Sequence, residues 1–594
     1  MNLTTWPNLV TMFFAQAERL GDKPFLWAKL AGTWTPVTWR QAATDAANLA
    51  RALASFGLTP GERVLLVGAN SPQWAIADFA IMAAGGVTVP AYTTNTARDH
   101  GHLLGDSGAS MAIVTSAALT GAVLEAAATA TGLRRVIAIE PPKAAMPAHV
   151  TINDWAGALA QGGRQSGDPA AGSRAIARDA LACLIYTSGT GGAPKGVMLS
   201  HRAILHNCVG AYRLLLELGL GDEVFLSFLP LSHAYEHSCG LMFPVSIGAQ
   251  VYFAEGVESL SSNLVEVRPT IMTSVPRLYE VMRQRILLGV QRAGGLKARL
   301  FQRAVALGRQ HYEQPLSLSP LDHVLNRVLD RLVRAKVRAR FGGRLKAMVS
   351  GGAPLDYEVG LFFTALGLRL LQGYGQTEAA PVVSCNPPSR VRLETVGPPL
   401  ADVELRIAED GEILVRGPLL MDGYWNQPEI TAQTLKHGWL HTGDIGVIDD
   451  GGFLRITDRK KDIIVLSGGD NVAPQRVEGR LCLEPEIGQA YVAGDRRPHL
   501  VALVVPSDAF IDQWAIANRQ PADLAILSAD DRVHDAIGQA IKRVNRTLSV
   551  IEQVKRFTIA DAPFTVANGM MTPTMKIRRH TIRDHYRERL EGLY

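Results

Sequence analysis

Tyr186-Thr-Ser-Gly-Thr-Gly-Gly-Ala-Pro-Lys195-Gly-Val-Met-Leu-Ser-His201 is the stretch from which the rest of this chain can be read. It follows Leu181-Ala-Cys-Leu-Ile185, a short apolar run suited to a buried strand. Glycines Gly189, Gly191 and Gly192, hydroxyl residues Thr187, Ser188 and Thr190, and Lys195 all fall within ten positions. Glycine lacks a Cβ, so the backbone can approach a ligand closely. Consecutive backbone N–H groups together with these hydroxyls can ring a phosphate, and Lys195 supplies the counter-charge. The blander alternative is an ordinary strand-to-helix loop. A Walker A loop is excluded, because that motif needs Gly-Lys-Ser/Thr and Lys195 stands between Pro194 and Gly196.

Outward from this loop, the 594 residues exceed one core and predict at least two domains. Hydrophobic residues at 47% and charged residues at 19% describe a folded chain rather than a disordered one. Five scattered cysteines without paired spacing argue against a disulfide framework or structural zinc and for a reducing compartment. The start has no basic segment leading into an apolar stretch, and the longest apolar run, near Trp74 to Pro90, is broken by Asp78 and Gly85-Gly86. The expectation is a cytoplasmic protein, at most peripheral to a membrane. Before the loop, strand-like Glu62–Gly68, a helix opened by Ser71 as N-cap with Pro72 at its first position, and strand-like Val87–Tyr92 and Met111–Thr115 alternate. That rhythm predicts parallel α/β units. From Glu140 to Asp179 the Ala, Gly and Pro content reads as a surface connection. Val403–Ile407 and Glu412–Arg416 alternate with period two, as a half-solvated antiparallel sheet does. A charged break at Arg459-Lys-Lys-Asp462 sets the expected domain boundary, giving 1–458 and 459–594.

Four further clusters carry chemistry. In Gln372-Gly-Tyr-Gly-Gln-Thr-Glu378, glycines Gly373 and Gly375 flank Tyr374 and leave its face open to stack on a purine. There Thr377 offers a hydroxyl, and Glu378 a hard oxygen for Mg²⁺. The Asp444 carboxylate in His441-Thr-Gly-Asp444 is a natural acceptor for two ribose hydroxyls. His233-Ala-Tyr-Glu-His237 satisfies the His-x-x-Glu-His pattern of one metalloprotease class, a rival reading. Between 282 and 346 there are fifteen Lys/Arg against three Asp/Glu. On a regular helix Arg327, Arg331, Arg334 and Arg338 share one face, with Leu325, Val328, Leu329 and Leu332 mostly opposite. Such a helix reads as membrane-surface or anionic-ligand binding, or as a solvated face over an ordinary core. No nucleic-acid recognition motif accompanies the charge.

The loop at 186–196 resembles the phosphate loop of the adenylate-forming superfamily, which holds acyl-CoA synthetases, luciferases and peptide-synthetase adenylation domains. It departs from the usual wording once, with Gly191 in place of a threonine. The other motifs follow in family order. Ser350-Gly-Gly-Ala-Pro354, with Gly352, Ala353 and Pro354, resembles an adenine-flanking turn, and Pro230-Leu-Ser-His233 the pattern whose histidine borders the acyl pocket. Arg459 matches an arginine that reaches the nucleotide, and Lys461 the hinge position. Thr572-Pro-Thr-Met-Lys576 resembles the closing motif that carries the catalytic lysine. The resemblance implies a large N-terminal domain of α/β subdomains with a distorted barrel and a small mobile C-terminal domain. Within the superfamily the chain looks most like bacterial long-chain fatty acyl-CoA synthetases. That implies ATP, Mg²⁺ on Glu378 and Thr190, a fatty acid, and CoA received beside Gly468 and Gly469. A carrier-protein acceptor, or an aromatic, branched or steroidal acid, stays open at this stage.

Overall fold

The computed structural model describes residues 5–143, 146–187, 193–572 and 575–594. Two eight-stranded sheets share one hydrophobic core. In the first, the strand order runs Gly423–Tyr424, Lys195–Ser200, Leu181–Thr187, Val87–Ala91, Arg63–Val67, Met111–Val114, Arg135–Ala138, Thr151–Asp154. From Leu181–Thr187 outward to Thr151–Asp154 every pairing is parallel. The second sheet runs Val382–Cys385, Leu370–Gly375, Ala347–Ser350, Ile271–Ser274, Val224–Ser227, Gln250–Phe253, Pro24–Leu30, Thr33–Thr38.

Helices Leu9–Leu20, Pro72–Ala83 and His201–Leu215 contribute to the core shared by both sheets. The helix Pro72–Ala83 starts as its sequence dictates: the Ser71 hydroxyl accepts from the Trp74 N–H at 3.2 Å, with Pro72 in the first turn. It is apolar nearly all round, so it can only be buried, and Trp74, Ile76, Phe79 and Ile81 all are. Phe79 stacks on Phe13 at 4.2 Å, and Trp39 on Phe25 at 3.6 Å.

The barrel region consists of five antiparallel strands. Glu404–Ile407 pairs with Glu412–Arg416, which pairs with the long strand Trp439–Ile448; Leu435–Lys436 and Leu454–Arg459 also pair with that strand. The hydrogen-bonded path among the described residues is open. Beyond it lie a hairpin, Ile464–Val465 with Asn471–Val472, and a three-stranded sheet of Ile487–Ala493, Leu500–Pro506 and Val554–Ile559 with its own core.

The structure differs from the sequence reading in three places. Residues 140–179 are more than a connection: Thr151–Asp154 forms the edge of the first sheet, and helix Trp155–Gly163 packs on helix Trp39–Ser55. The small residues make that packing close, since a Cβ on Gly162 would stand 1.7 Å from the Asn48 carbonyl oxygen. The stretch 188–194 joins two antiparallel strands rather than a strand and a helix. The four arginines of the basic region do not share a solvent face. Helix Pro320–Leu329 passes through a widened π turn at Asp330–Arg334 into helix Ala335–Arg340. Arg334 turns inward, bonding the Ala365, Asn326 and Ala304 carbonyls, and Arg338 pairs with Asp330 at 2.7 Å. Among the described residues, no helix is long and apolar enough to cross a membrane.

Gly375 ends the strand Leu370–Gly375 where it meets Val382–Cys385, and a Cβ there would lie 1.8 Å from the Pro381 carbonyl oxygen. Gly375→Ala is expected to cost about 1–3 kcal/mol through backbone displacement. Thermal unfolding should show the lowered midpoint.

Candidate active site

The phosphate-loop motif is anchored by its ends. Thr187 and Lys195 are partners across the antiparallel pair, so both termini of the loop are held together. Ser188, Gly189, Thr190 and Gly191, the centre of the expected phosphate and metal contacts, lie outside the described residues. Lys195 places its ammonium 5.2 Å from the Tyr424 ring centroid, a cation–π distance. The Tyr424 hydroxyl donates to Glu378 Oε1 at 2.8 Å. Tyr424 therefore ties the loop lysine to the candidate metal ligand. Sequence reading missed it, because Glu378 and Tyr424 are 46 positions apart and only strand Gly423–Tyr424, paired with Lys195–Ser200, joins them. Glu378 Oε2 carries no hydrogen bond among the described residues. A carboxylate oxygen left open in this way suits Mg²⁺, a hard cation that takes few protein ligands.

Tyr374 behaves differently from expectation. The pairing of Leu370–Gly375 with Val382–Cys385 buries its ring rather than leaving the face open. Its hydroxyl donates to Asp444 Oδ2 at 2.7 Å, while Arg459 Nε donates to Asp444 Oδ1 at 3.1 Å. Burial first, and the Asp444 charge second, push the Tyr374 phenol well above its ordinary value, so it stays a donor. Asp444 is thus fixed from two sides, and Arg459 faces it directly across paired strands. Thr377 is buried in the turn Thr377–Ala379. The Glu412 carboxylate, unmarked in the sequence, accepts from the Gly443 N–H at 2.8 Å and lies 3.5 Å from His441 Nδ1. It shapes the turn that presents Asp444.

Gly352, Ala353, Pro354, His233 and Lys576 line one cavity of about 200 Å³ between the large and small units. A Cβ on Gly352 would stand 3.8 Å from Lys576 Cε, so the lysine tip reaches that turn. Its own loop is tight: the Thr572 N–H donates to the Lys576 carbonyl at 2.7 Å, and the Lys576 N–H to the Thr572 hydroxyl at 3.1 Å. Pro573 and Thr574 lie outside the described residues. Desolvation in the cleft, then the Arg459 charge, pull Lys576 down to about 8, against the opposing pull of Asp444. Burial, then the Lys576 charge, push His233 down to about 3. His233 Nδ1 accepts the Tyr235 N–H at 3.2 Å, leaving Nε2–H as a neutral donor.

The His-x-x-Glu-His pattern does not converge. His237 bonds Asp78 at 2.8 Å in the core, and Glu236 accepts from Thr273 at 2.6 Å, whereas His233 faces the cleft. Among the described residues, no group of three or more His, Cys, Asp or Glu is placed to hold a metal ion. Lys461 is exposed in the turn after strand Leu454–Arg459, and Gly468 and Gly469 are exposed at the tip of hairpin Ile464–Val472, outside the cavity lined by Lys576. A larger cavity, about 690 Å³, lies apart from these residues, between helices Pro276–Ala293, Gly295–Glu313 and Tyr357–Ala365.

A strand pair closed on the phosphate-loop motif, a held carboxylate and a lysine in an inter-unit cleft are the parts a nucleotide-dependent enzyme with a two-unit fold would use. The chain belongs to the AMP-binding enzyme family: that family's pattern matches residues 13–425, and the AMP-binding enzyme C-terminal domain matches 461–594. This is the adenylate-forming superfamily expected from the motifs. The chain is 35% identical to long-chain-fatty-acid–CoA ligase FadD15 of Mycobacterium bovis, covering 99% of this chain and 97% of that protein. It is 31% identical to the peroxisomal long chain acyl-CoA synthetase 6 of Arabidopsis thaliana, covering 95% and 82%. In fold it is similar to the A-PCP didomain of carboxylic acid reductase from Segniliparus rugosus in complex with AMP. That match has a TM-score of 0.80 at 22% identity, over 100% of this chain and 83% of that one.

Because Lys576 is a cation only below its depressed value, kcat/KM for ATP should fall as pH rises through about 8. In Lys576→Arg that descending limb should vanish from the accessible range, whatever the absolute rate. Tyr424→Phe removes the hydroxyl from Glu378; the Mg²⁺ concentration for half-maximal AMP formation should change by roughly tenfold.

Proposed function

We propose that this protein is an ATP-dependent long-chain fatty acid–CoA ligase acting through an acyl-adenylate. The observation that carries the reading is Lys576: a half-buried cation from the C-terminal tail, lodged in the cleft beside Gly352 and His233. The identity of 35% along nearly the whole length of a long-chain-fatty-acid–CoA ligase supports the substrate class.

In the first half-reaction a fatty carboxylate oxygen attacks the α-phosphorus of ATP, and pyrophosphate leaves with the bond electrons. Attacker and target are both anions, so a cation spanning them lowers the barrier and aligns the approach. Lys576 takes that role. His233, neutral with Nε2–H free, donates to the carboxylate without adding charge. Lys195 and the hydroxyls of Thr187, Ser188 and Thr190, with Gly189, hold the phosphates, and Asp444, set by Tyr374 and Arg459, accepts the ribose hydroxyls. The turn Gly352-Ala353-Pro354, with Gly373, encloses the adenine, Thr377 lies beside it, and Tyr374 acts through Asp444 rather than on the base. Glu378 and Thr190 would hold Mg²⁺, which when bound neutralises phosphate charge.

In the second half-reaction the CoA thiol sulfur attacks the acyl carbon, its proton is released and AMP leaves. The C-terminal unit swings about Lys461, withdrawing Lys576 and bringing Gly468 and Gly469 beside the pantetheine arm. Their present position outside the Lys576 cavity fits a segment used in the other half of the cycle.

AMP formation measured across saturated fatty acids of increasing length, with and without CoA, tests the assignment: CoA-dependent turnover should peak at long chains. Adenylate that accumulates without CoA-stimulated release would favour a carrier-protein acceptor. Lys576→Ala should lose adenylation by about 100-fold or more yet still convert preformed acyl-adenylate to thioester. Equal loss of both steps would refute that role.

A further inference from the structure

The helix Pro320–Leu329 and the π turn after it present an apolar stripe to solvent. Leu321 is 82% exposed, Val324 59%, Val328 45% and Leu332 49%. Spacings of three and four put Leu321, Val324 and Val328 on one helical face, and Leu332 follows them in the π turn. Scattered exposed leucines are ordinary, but four apolar side chains exposed along one segment are not. The opposite side packs inward through Leu329, against Ala304, Leu307 and Leu318. The stripe is therefore a second apolar face, beyond what the core uses.

The charge beside it is selective. Arg303 pairs with Asp322, Arg309 with Glu313 and Glu358, Arg338 with Asp330, and Arg334 is buried on carbonyls. The Arg327 and Arg331 side chains, on the exposed side of the same segment, make no hydrogen bond or ion pair among the described residues, Arg331 lying near the Asp330 charge, and Lys336 and Arg340 continue the basic run. An apolar face edged by free cations is complementary to an anionic lipid interface. It is poorly suited to a second copy of this chain, because a two-fold contact would set the same arginines against each other.

We infer that the face formed by Leu321, Val324, Val328 and Leu332, flanked by Arg327 and Arg331, docks the protein on an anionic bilayer surface. The contact is interfacial: the apolar side chains enter the headgroup boundary while the guanidinium groups stay at phosphate level. Its value for catalysis, drawing a membrane-dissolved fatty acid toward the enzyme, rests on the ligase reading; the docking itself does not.

Full-length protein would be co-sedimented with phosphatidylcholine vesicles containing about one third phosphatidylserine, and with pure phosphatidylcholine, at low salt and at about 0.15 M salt. Binding should prefer the phosphatidylserine vesicles and weaken with salt. Val324→Asp with Val328→Asp should lower the partition coefficient by about tenfold or more. Arg327→Glu with Arg331→Glu should erase the preference, at about fivefold per cation. All variants should keep their melting temperature and their AMP formation from a water-dissolved acid. Wild type that ignores phosphatidylserine vesicles, or aspartate variants that bind as wild type does, would overturn the inference. So would a dimer in sedimentation velocity that the aspartate substitutions dissociate. Sedimentation needs no turnover, so an enzyme inactive on fatty acids would count against the ligase reading and leave this result standing.

Discussion

Bringing a carboxylate against a triphosphate concentrates negative charge, and the proposed reaction depends on cations converging on that point. The cations proposed for that role come from three separate parts of the chain. Lys195 comes from the foot of a β-hairpin, Arg459 from the end of the antiparallel sheet, and Lys576 from the loop near the C-terminus. Each is held by a different device: an aromatic ring under Lys195, a carboxylate against Arg459, and backbone-clamped geometry behind Lys576. Desolvation and the Arg459 charge depress Lys576 even though Asp444 opposes them, and that depression is the visible cost of placing it there. An incoming anion relieves it.

On the proposed mechanism the division into two units has the same origin, because a lysine fixed permanently in the cleft would obstruct the second half-reaction. Lys576 sits on a small unit with its own core, so the proposed withdrawal would leave the candidate nucleotide residues in the large unit and its last strand undisturbed. The aromatic and carboxylate contacts that orient the nucleotide groups, Tyr374 on Asp444 and Tyr424 on Glu378, lie wholly within the large unit.

The helical layer between Pro276 and Arg340 shows where periodic reading fails. An unbroken helix would align Arg327, Arg331, Arg334 and Arg338. The π turn at Asp330–Arg334 shifts the register after it and Arg334 turns into the core, while Leu321, Val324 and Val328 stand exposed on the regular helix before it.

The residues alone were enough for the α/β alternation, the antiparallel segments after Val403, the cap at Ser71 and the motif order that marked Lys195, Glu378, Asp444 and Lys576. These are local signals, because strand period, cap chemistry and glycine-rich loops act within a few positions. Only the tertiary structure decided that the phosphate loop spans a hairpin, that Tyr374 is buried on Asp444 rather than open-faced, that Tyr424 and Glu412 buttress the site, and that His237 belongs to Asp78. Each of those rests on a contact between residues far apart in the chain, 70 positions for Tyr374 and Asp444 and 159 for His237 and Asp78. Such contacts are fixed by how sheets stack and which faces are buried, and no local pattern encodes them.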